Sequence, residues 1–173
     1  PETSLQSLAA LKPAFSNEGI VTAGNSSGLN DGAAALMLSN RQFASSHGLR
    51  VRARLRGYSF AGVAPEVMGL GPIPAVQQLL KKTGLSVADL AVIESNEAFA
   101  AQAIAVNRSL GLDETRVNPH GGAIALGHPV GATGSILIIK ALYELERIDG
   151  QFALVTMCIG GGQGVALLLE RCS

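Results

Sequence analysis

Phe152-Ala153-Leu154-Val155-Thr156-Met157-Cys158-Ile159-Gly160-Gly161-Gly162-Gln163-Gly164-Val165-Ala166-Leu167-Leu168-Leu169 decides the architecture. Two apolar runs, Phe152–Met157 and Val165–Leu169, flank the turn Gly160-Gly161-Gly162-Gln163-Gly164. A parallel crossover needs roughly a dozen residues or more, so a connection this short permits only an antiparallel pair. Upstream, short apolar runs alternate with amphipathic stretches, the order of an α/β layered fold. The expected sheet is therefore mixed, with helices packed on it.

Working outward, Gly134–Arg147 predicts a helix with Ile138, Leu142 and Leu145 on its buried face. Glu97–Leu110 predicts another, with Ala98, Ala101, Ile104 and Ala105 inward and Gly111 as its stop. Leu90–Ile93 reads as a strand, and Ser86 with Asp89 as a capping box ahead of it. Pro74–Lys82 has Pro near its first turn, two lysines at its end and Gly84 beyond, the marks of a helix. Val51–Tyr58 alternates Val51, Ala53 and Leu55 with Arg50, Arg52, Arg54 and Arg56, which predicts a strand with one wet, basic face. Ala33–Leu38 is a buried strand or a short apolar helix, and its length does not separate the two. The opening stretch, Pro1–Asn17, is polar and irregular, with Leu8, Leu11 and Phe15 as its anchors.

A chain of 173 residues holds one ordinary domain, or one and a fraction. With 47% hydrophobic and 15% charged residues it is too apolar for a disordered chain. Thirteen basic residues balance thirteen acidic ones, which argues against nucleic acid and anionic membrane as partners. No Trp, two Tyr and five Phe make a base-stacking surface improbable as well. The longest apolar runs, around Ile136–Ile139 and Val165–Leu169, are far too short to span a bilayer. The 21 glycines exceed the usual ~7% and cluster, which points to tight functional turns. Cys158 and Cys172 are too sparse for a disulfide framework or a zinc site, and no leader segment opens the chain, so a reducing cytoplasm is expected. Because the first residue is Pro1, a fragment or processed product is also expected.

Two patterns invite chemistry and fail on detail. Gly24-Asn25-Ser26-Ser27-Gly28 fits a nucleophile elbow, with Asp113 and His128 in hydrolase order, but Gly/Ser-rich loops match it easily and the chain is short for a hydrolase sheet. Gly127–Gly134 is Gly-rich ahead of a helix but lacks the Lys-Ser/Thr of a phosphate loop and the dinucleotide spacing. His128 is more informative. It sits in a glycine-dense loop where backbone approaches a ligand closely, and a helix N-terminus favours its neutral form. A single loop His is ordinarily structural or solvated, and a free Cys such as Cys158 is ordinarily a small hydrophobe. Their occurrence together with Asn96, each where a strand gives way to a loop or helix, is what marks a site.

Asn96-Glu97-Ala98-Phe99-Ala100, Gly121-Gly122-Ala123-Ile124-Ala125-Leu126-Gly127-His128-Pro129, Cys158-Ile159-Gly160-Gly161-Gly162-Gln163-Gly164 and the earlier Ala23-Gly24-Asn25-Ser26-Ser27-Gly28-Leu29-Asn30-Asp31-Gly32-Ala33 together resemble the thiolase family, in the family's order. The resemblance runs from about Val21 onward and is to the C-terminal part of a thiolase. The part that carries the family's acyl-accepting Cys has no counterpart among these residues, and Cys172 at the terminus is no substitute.

The resemblance implies a layered α/β/α fold with a mixed five-stranded sheet. It also implies three segments: residues 1–27 as the tail of a loop region, 28–51 as the end of the N-terminal domain, and 52–173 as the C-terminal domain. Cys158 matches the family's acid/base Cys, and His128 the residue that activates the nucleophile and donates to an oxyanion. Asn96 matches the residue holding a water at that oxyanion hole, and Gly160 a backbone donor to a second hole. Ser27, Met68 and Phe99 fall at substrate-binding positions, with Ser27 toward the pantetheine arm and Met68 near the acyl group. The implied activity is that of an acetyl-CoA C-acyltransferase on short 3-oxoacyl-CoA, with acyl-CoA and CoA as partners, no metal and no resident cofactor. A homo-oligomer is expected. By itself this chain is expected to be inactive for want of the nucleophilic Cys, and the alternative is an incomplete thiolase portion serving as a CoA-binding or assembly module. The chemistry demands such a site: a thioester α-proton is weakly acidic, and each donor aimed at the developing enolate oxygen contributes ~3–4 kcal/mol. A Cys can serve as the base if a dipole or a neighbour brings its thiol pKa toward neutrality.

Overall fold

The structure, a computed structural model, describes residues 2–172; Pro1 and Ser173, the outer limits of the expected segments, lie outside them. Its elements in chain order are α1 (Leu5–Ala9), α2 (Arg41–Ser46), β1 (Ala53–Gly62), α3 (Pro72–Thr83), β2 (Leu90–Ser95), α4 (Ala100–Leu110), α5 (Ala123–Leu126), α6 (Thr133–Arg147), β3 (Phe152–Ile159) and β4 (Gln163–Arg171). Strand order is β1-β4-β3-β2. The Gly-rich turn makes β3 and β4 antiparallel, β1 is antiparallel to β4, and β2 runs parallel to β3, so the sheet is mixed as expected.

Pleating sends consecutive residues to opposite faces and builds two cores. On one face Ala75, Val76 and Leu79 of α3 pack on Leu90, Ile93, Leu154, Ala166 and Leu168. On the other, Leu137, Ala141 and Leu145 of α6 pack on Val92, Ala153, Val155 and Leu169. Helix, sheet and helix form three layers. A buried ion pair ties one layer to the next: Lys140 Nζ donates to Glu94 Oε2 and to the Gly121 carbonyl, each at 2.6 Å. Burial pushes the Glu94 carboxyl up, against the opposing pull of Lys140.

The sheet has four strands, not five. The place of a fifth is taken by a single parallel bridge, Ile93 to Val117. Asn118 then turns away with φ +46°, and its side-chain amide replaces the missing ladder, accepting from Ser95 N at 2.9 Å and donating to Ser95 O at 2.8 Å.

Other expectations shift in detail. The alternation around Val51–Tyr58 reverses, because a register shift between Leu55 and Gly57 turns Leu55 outward (54% exposed). Gly57, Ser59 and Ala61 then face α3, where Ser59 Oγ donates to the Ala75 carbonyl at 2.5 Å, and Tyr58 and Phe60 face solvent. α4 begins at Ala100 and not at Glu97, and its buried face is Gln102, Ala103 and Val106, with Ile104 exposed, because the helix packs on α3 and on the Pro65–Leu70 segment. In α6 the most buried positions are Thr133, Leu137, Ala141, Glu144 and Leu145, while Ile138 and Leu142 flank the core. Ala33–Leu38 is neither buried strand nor helix: it pairs with no described strand, and Met37 and Leu38 are each 86% exposed. Phe15 is largely exposed despite its expected anchoring role.

Two glycines are required by close backbone approach. A Cβ on Gly164 would overlap the Gly71 carbonyl group, and one on Gly71 would overlap the Gln163 carbonyl. This contact presses the start of α3 against the Gly-rich turn. Gly160, by contrast, has no heavy atom within 4 Å of a built Cβ. Gly164→Ala is therefore expected to destabilise by ~1–3 kcal/mol or more in denaturant melts, while Gly160→Ala stays near neutral.

Candidate functional site

Parallel pairing brings the ends of β2 and β3 to one edge of the sheet, with Ser95 opposite Thr156. Asn96 extends the ladder by one step, its N–H donating to the Thr156 carbonyl at 3.0 Å. The chain then turns into α4, leaving the Asn96 side chain 1% exposed.

His128 reaches the same edge from the loop between α5 and α6. Its N–H donates to the Gly28 carbonyl at 3.2 Å and to Asn30 Oδ1 at 3.0 Å. Gly127, at φ +100°, is needed here, because a Cβ would fall 2.6 Å from Asn30 Oδ1. Nδ1 of His128 lies 2.7 Å from Thr133 Oγ1, and that hydroxyl donates to the Pro129 carbonyl at 2.9 Å. A hydroxyl has one proton, so Thr133 must accept from His128 Nδ1–H. The Nε2 lone pair then faces Asn96 Nδ2, which donates to it at 3.3 Å. Burial holds the imidazole below its ordinary pKa of 6.5. The result is a neutral imidazole with a defined tautomer, able to take a proton at Nε2 and return it. Asn96 Oδ1 is buried and has no partner among the described residues.

Cys158 sits near the end of β3, opposite Gly164, and is buried. Burial pushes its thiol above the ordinary value of 9.0. Desolvation outweighs the opposing pull of a backbone hydrogen bond, so the thiol is not drawn toward neutrality and the resting group is protonated. No hydrogen bond among the described residues joins it to Asn96 or His128. Gly160 lies exposed in the adjoining turn. Met68, half-buried, lies in the 3-10 segment Pro65–Leu70, which leads directly to the Gly71–Gly164 contact. Ser27 and Phe99 come together elsewhere on the same rim: Ser27 N donates to the Ala98 carbonyl at 3.0 Å, Ser26 bridges Phe99, and Phe15 meets the Phe99 ring edge-on at 5.9 Å. A cleft of about 360 Å³ runs between Asn30–Ala34 and the Pro129–Ala132 loop beside His128.

The hydrolase pattern does not assemble. Ser26 Oγ donates to the Thr22 carbonyl, and Asp113 caps its own turn through Thr115 and pairs with Arg116. Among the described residues no group of three His, Cys, Asp or Glu could hold a metal ion.

Three residues were missed as functional. Asn30 fixes the His128 backbone, Thr133 fixes its tautomer, and Glu97 accepts from Asn118 Nδ2 at 3.1 Å and Ile124 N at 3.3 Å. Only Thr133 had a readable signal, lying one helical turn and a residue after His128.

An NMR titration should place the His128 midpoint below 6.5. Because the unfolded chain takes that proton first, the wild type should lose stability as pH falls from 6.5 through the folded midpoint. His128→Gln should lack that step in pH-dependent melts.

The family description "Thiolase, C-terminal domain" matches residues 49–171, and "Thiolase, N-terminal domain" matches residues 1–42. The chain is 57% identical over 173 residues to the beta-ketoadipyl-CoA thiolase of Pseudomonas knackmussii, covering 99% of itself and 43% of that protein. It is 55% identical over 171 residues to beta-ketothiolase BktB of Cupriavidus necator, covering 98% of itself and 43% of BktB. Among solved structures it resembles the Bacillus anthracis acetyl-CoA acetyltransferase, with TM-score 0.96, 46% identity, and coverage of 99% of this chain and 43% of that one. It also resembles human mitochondrial 3-ketoacyl-CoA thiolase in complex with CoA, with TM-score 0.92, 41% identity, and coverage of 100% and 44%. The chain thus spans less than half the length of these relatives. A family match across most of its length, on a fold this similar, means that the chain belongs to the thiolase family.

Proposed function

We propose that this chain is the proton-handling portion of an acetyl-CoA C-acyltransferase acting on short 3-oxoacyl-CoA, with the acyl-accepting Cys supplied from outside these 173 residues. The observation that carries the reading is the neutral His128, whose Nε2 lone pair faces Asn96 Nδ2 at the sheet edge. Residues 1–27, 28–51 and 52–173 are read as loop-region tail, end of the N-terminal domain and C-terminal domain; the family matches over 1–42 and 49–171 support a boundary near the second of these divisions.

His128 Nε2 takes the proton of the nucleophilic thiol, and the thiolate attacks the acyl-CoA carbonyl. The carbon–sulfur bond to CoA breaks, and the leaving CoA thiolate takes the Cys158 proton. Cys158, now a thiolate in a buried site, is a strong enough base to remove the α-proton of a second acyl-CoA. The carbanion attacks the acyl-enzyme, a carbon–carbon bond forms, and the departing enzyme thiolate recovers its proton from His128. Thiolytic cleavage is the same sequence reversed. His128, once protonated at Nε2, and a water held by Asn96 serve one developing oxyanion, and the Gly160 N–H serves the second. A raised thiol pKa suits this cycle, since Cys158 must hold a proton before it donates one.

Ser27, Met68 and Phe99 are read as contacts for the CoA arm and acyl group. Claisen chemistry on thioesters needs no resident cofactor, CoA thioesters being the substrates. We read the protein as cytoplasmic, in keeping with two free cysteines; no helix among the described residues is long and apolar enough to cross a membrane. We also read it as part of a homo-oligomer, a reading supported by the exposed Met37, Leu38, Tyr58 and Phe60.

The test is a chimera in which this chain replaces the corresponding share of the Pseudomonas knackmussii relative. The chimera should cleave acetoacetyl-CoA. Cys158→Ser should lower condensation by ~10²–10⁴-fold and labelled acyl transfer onto the nucleophile far less, because a leaving CoA thiolate can also take its proton from water, whereas nothing else removes the α-proton. Equal loss of both half-reactions would contradict the role given to Cys158.

A further inference from the structure

We propose that Glu97 is a positioning residue whose carboxylate bolts the turn carrying Asn96 to the helical turn that leads into the His128 loop. The inference rests on the acyl-transfer reading for its importance, and on hydrogen bonding alone for its geometry.

Glu97 follows Asn96 directly, and α5 (Ala123–Leu126) ends one residue before Gly127-His128. One carboxylate oxygen accepts from Asn118 Nδ2 at 3.1 Å, the other from Ile124 N at 3.3 Å in the first turn of α5. Gly122 makes room, since a Cβ there would overlap the Glu97 carboxylate carbon. The Asn118 amide cannot turn over to suit a different partner. Its Oδ1 accepts from Ser95 N at 2.9 Å, and Nδ2 donates to Ser95 O at 2.8 Å as well as to Glu97. Glu97 thus faces two donors and must offer two acceptors.

Glutamine has the same shape but one acceptor and one donor group. In Glu97→Gln, the new NH₂ must oppose either Asn118 Nδ2–H or Ile124 N–H, and one strut opens. Gly122→Ala tests the same contact from the other side. A Cβ there would overlap the Glu97 carboxylate carbon, so the carboxylate must leave its two donors while Asn118 keeps both bonds to Ser95. In a Glu97→Ala background that Cβ meets no carboxylate.

Hydrogen exchange at the Asn96 side-chain amide, followed by NMR in the full 173-residue chain, reads the contact without any need for turnover. Glu97→Gln should keep the fold by circular dichroism and exchange about tenfold faster or more. Gly122→Ala should speed exchange to a similar degree in the wild type and add little in a Glu97→Ala background. Unchanged exchange in Glu97→Gln, a Gly122→Ala effect as large without Glu97 as with it, or loss of the fold in the Glu97→Gln variant would each overturn the proposal, the last because Glu97 would then be a folding group. Failure of the acyl-transfer reading would show separately, as an inactive wild-type chimera beside these same exchange rates.

Discussion

The parallel ladder between β2 and β3 sets the position of everything functional in this chain. With Ser95 opposite Thr156 and the Asn96 N–H on the Thr156 carbonyl, two distant stretches of sequence end together at one edge. A shift of one residue would send the Asn96 side chain to the other face and separate it from the His128 loop. The register is strongly specified because both faces are buried: Val92 and Val155 meet α6, and Ile93 and Leu154 meet α3. The packing that builds the two cores is thus also what fixes the site.

Around that ladder, polar contacts do what a fifth strand would have done. Asn118 holds Ser95 by its side chain, passes the constraint to Glu97, and Glu97 passes it to α5 and so toward His128. From the other direction Lys140 holds the Gly121 carbonyl against Glu94, while Asn30 fixes the His128 backbone. None of these groups reacts. Together they restrict a loop that Gly121, Gly122, Gly127 and Gly131 would otherwise leave free.

Much of this was legible in the sequence. The five-residue turn at Gly160–Gly164 dictated an antiparallel pair, and Lys81, Lys82 and Gly84 marked the C-terminal end of α3, whose start lies at Pro72, two residues before the expected Pro74. Asn96, His128 and Cys158 stood out by their place at element boundaries. What was not legible depends on tertiary partners. The bulge at Leu55–Gly57 reverses a clean period of two, because the packing of Gly57 against α3 outweighs the local pattern. The Val117 segment is one bridge long because Asn118 adopts positive φ, which no neighbouring residue announces. The side chain that fixes the His128 tautomer is near in sequence, but Asn30 is far away, and only the fold brings it close.

The central claim is an allocation of protons: one on His128 Nδ1, none on Nε2, one on Cys158. It follows from a single hydroxyl proton already committed to Pro129 and from burial that disfavours both charged forms. Such a site holds one transferable proton and one vacant acceptor, which is what a paired thiol and thioester reaction demands. Neutron diffraction from a deuterium-exchanged crystal of the chain near pH 7 tests this directly. Deuterons on His128 Nδ1 and Cys158 Sγ, with Nε2 bare toward the Asn96 amide, are the predicted result; a deuteron on Nε2 with Nδ1 bare, or a Cys158 thiolate, would contradict the account.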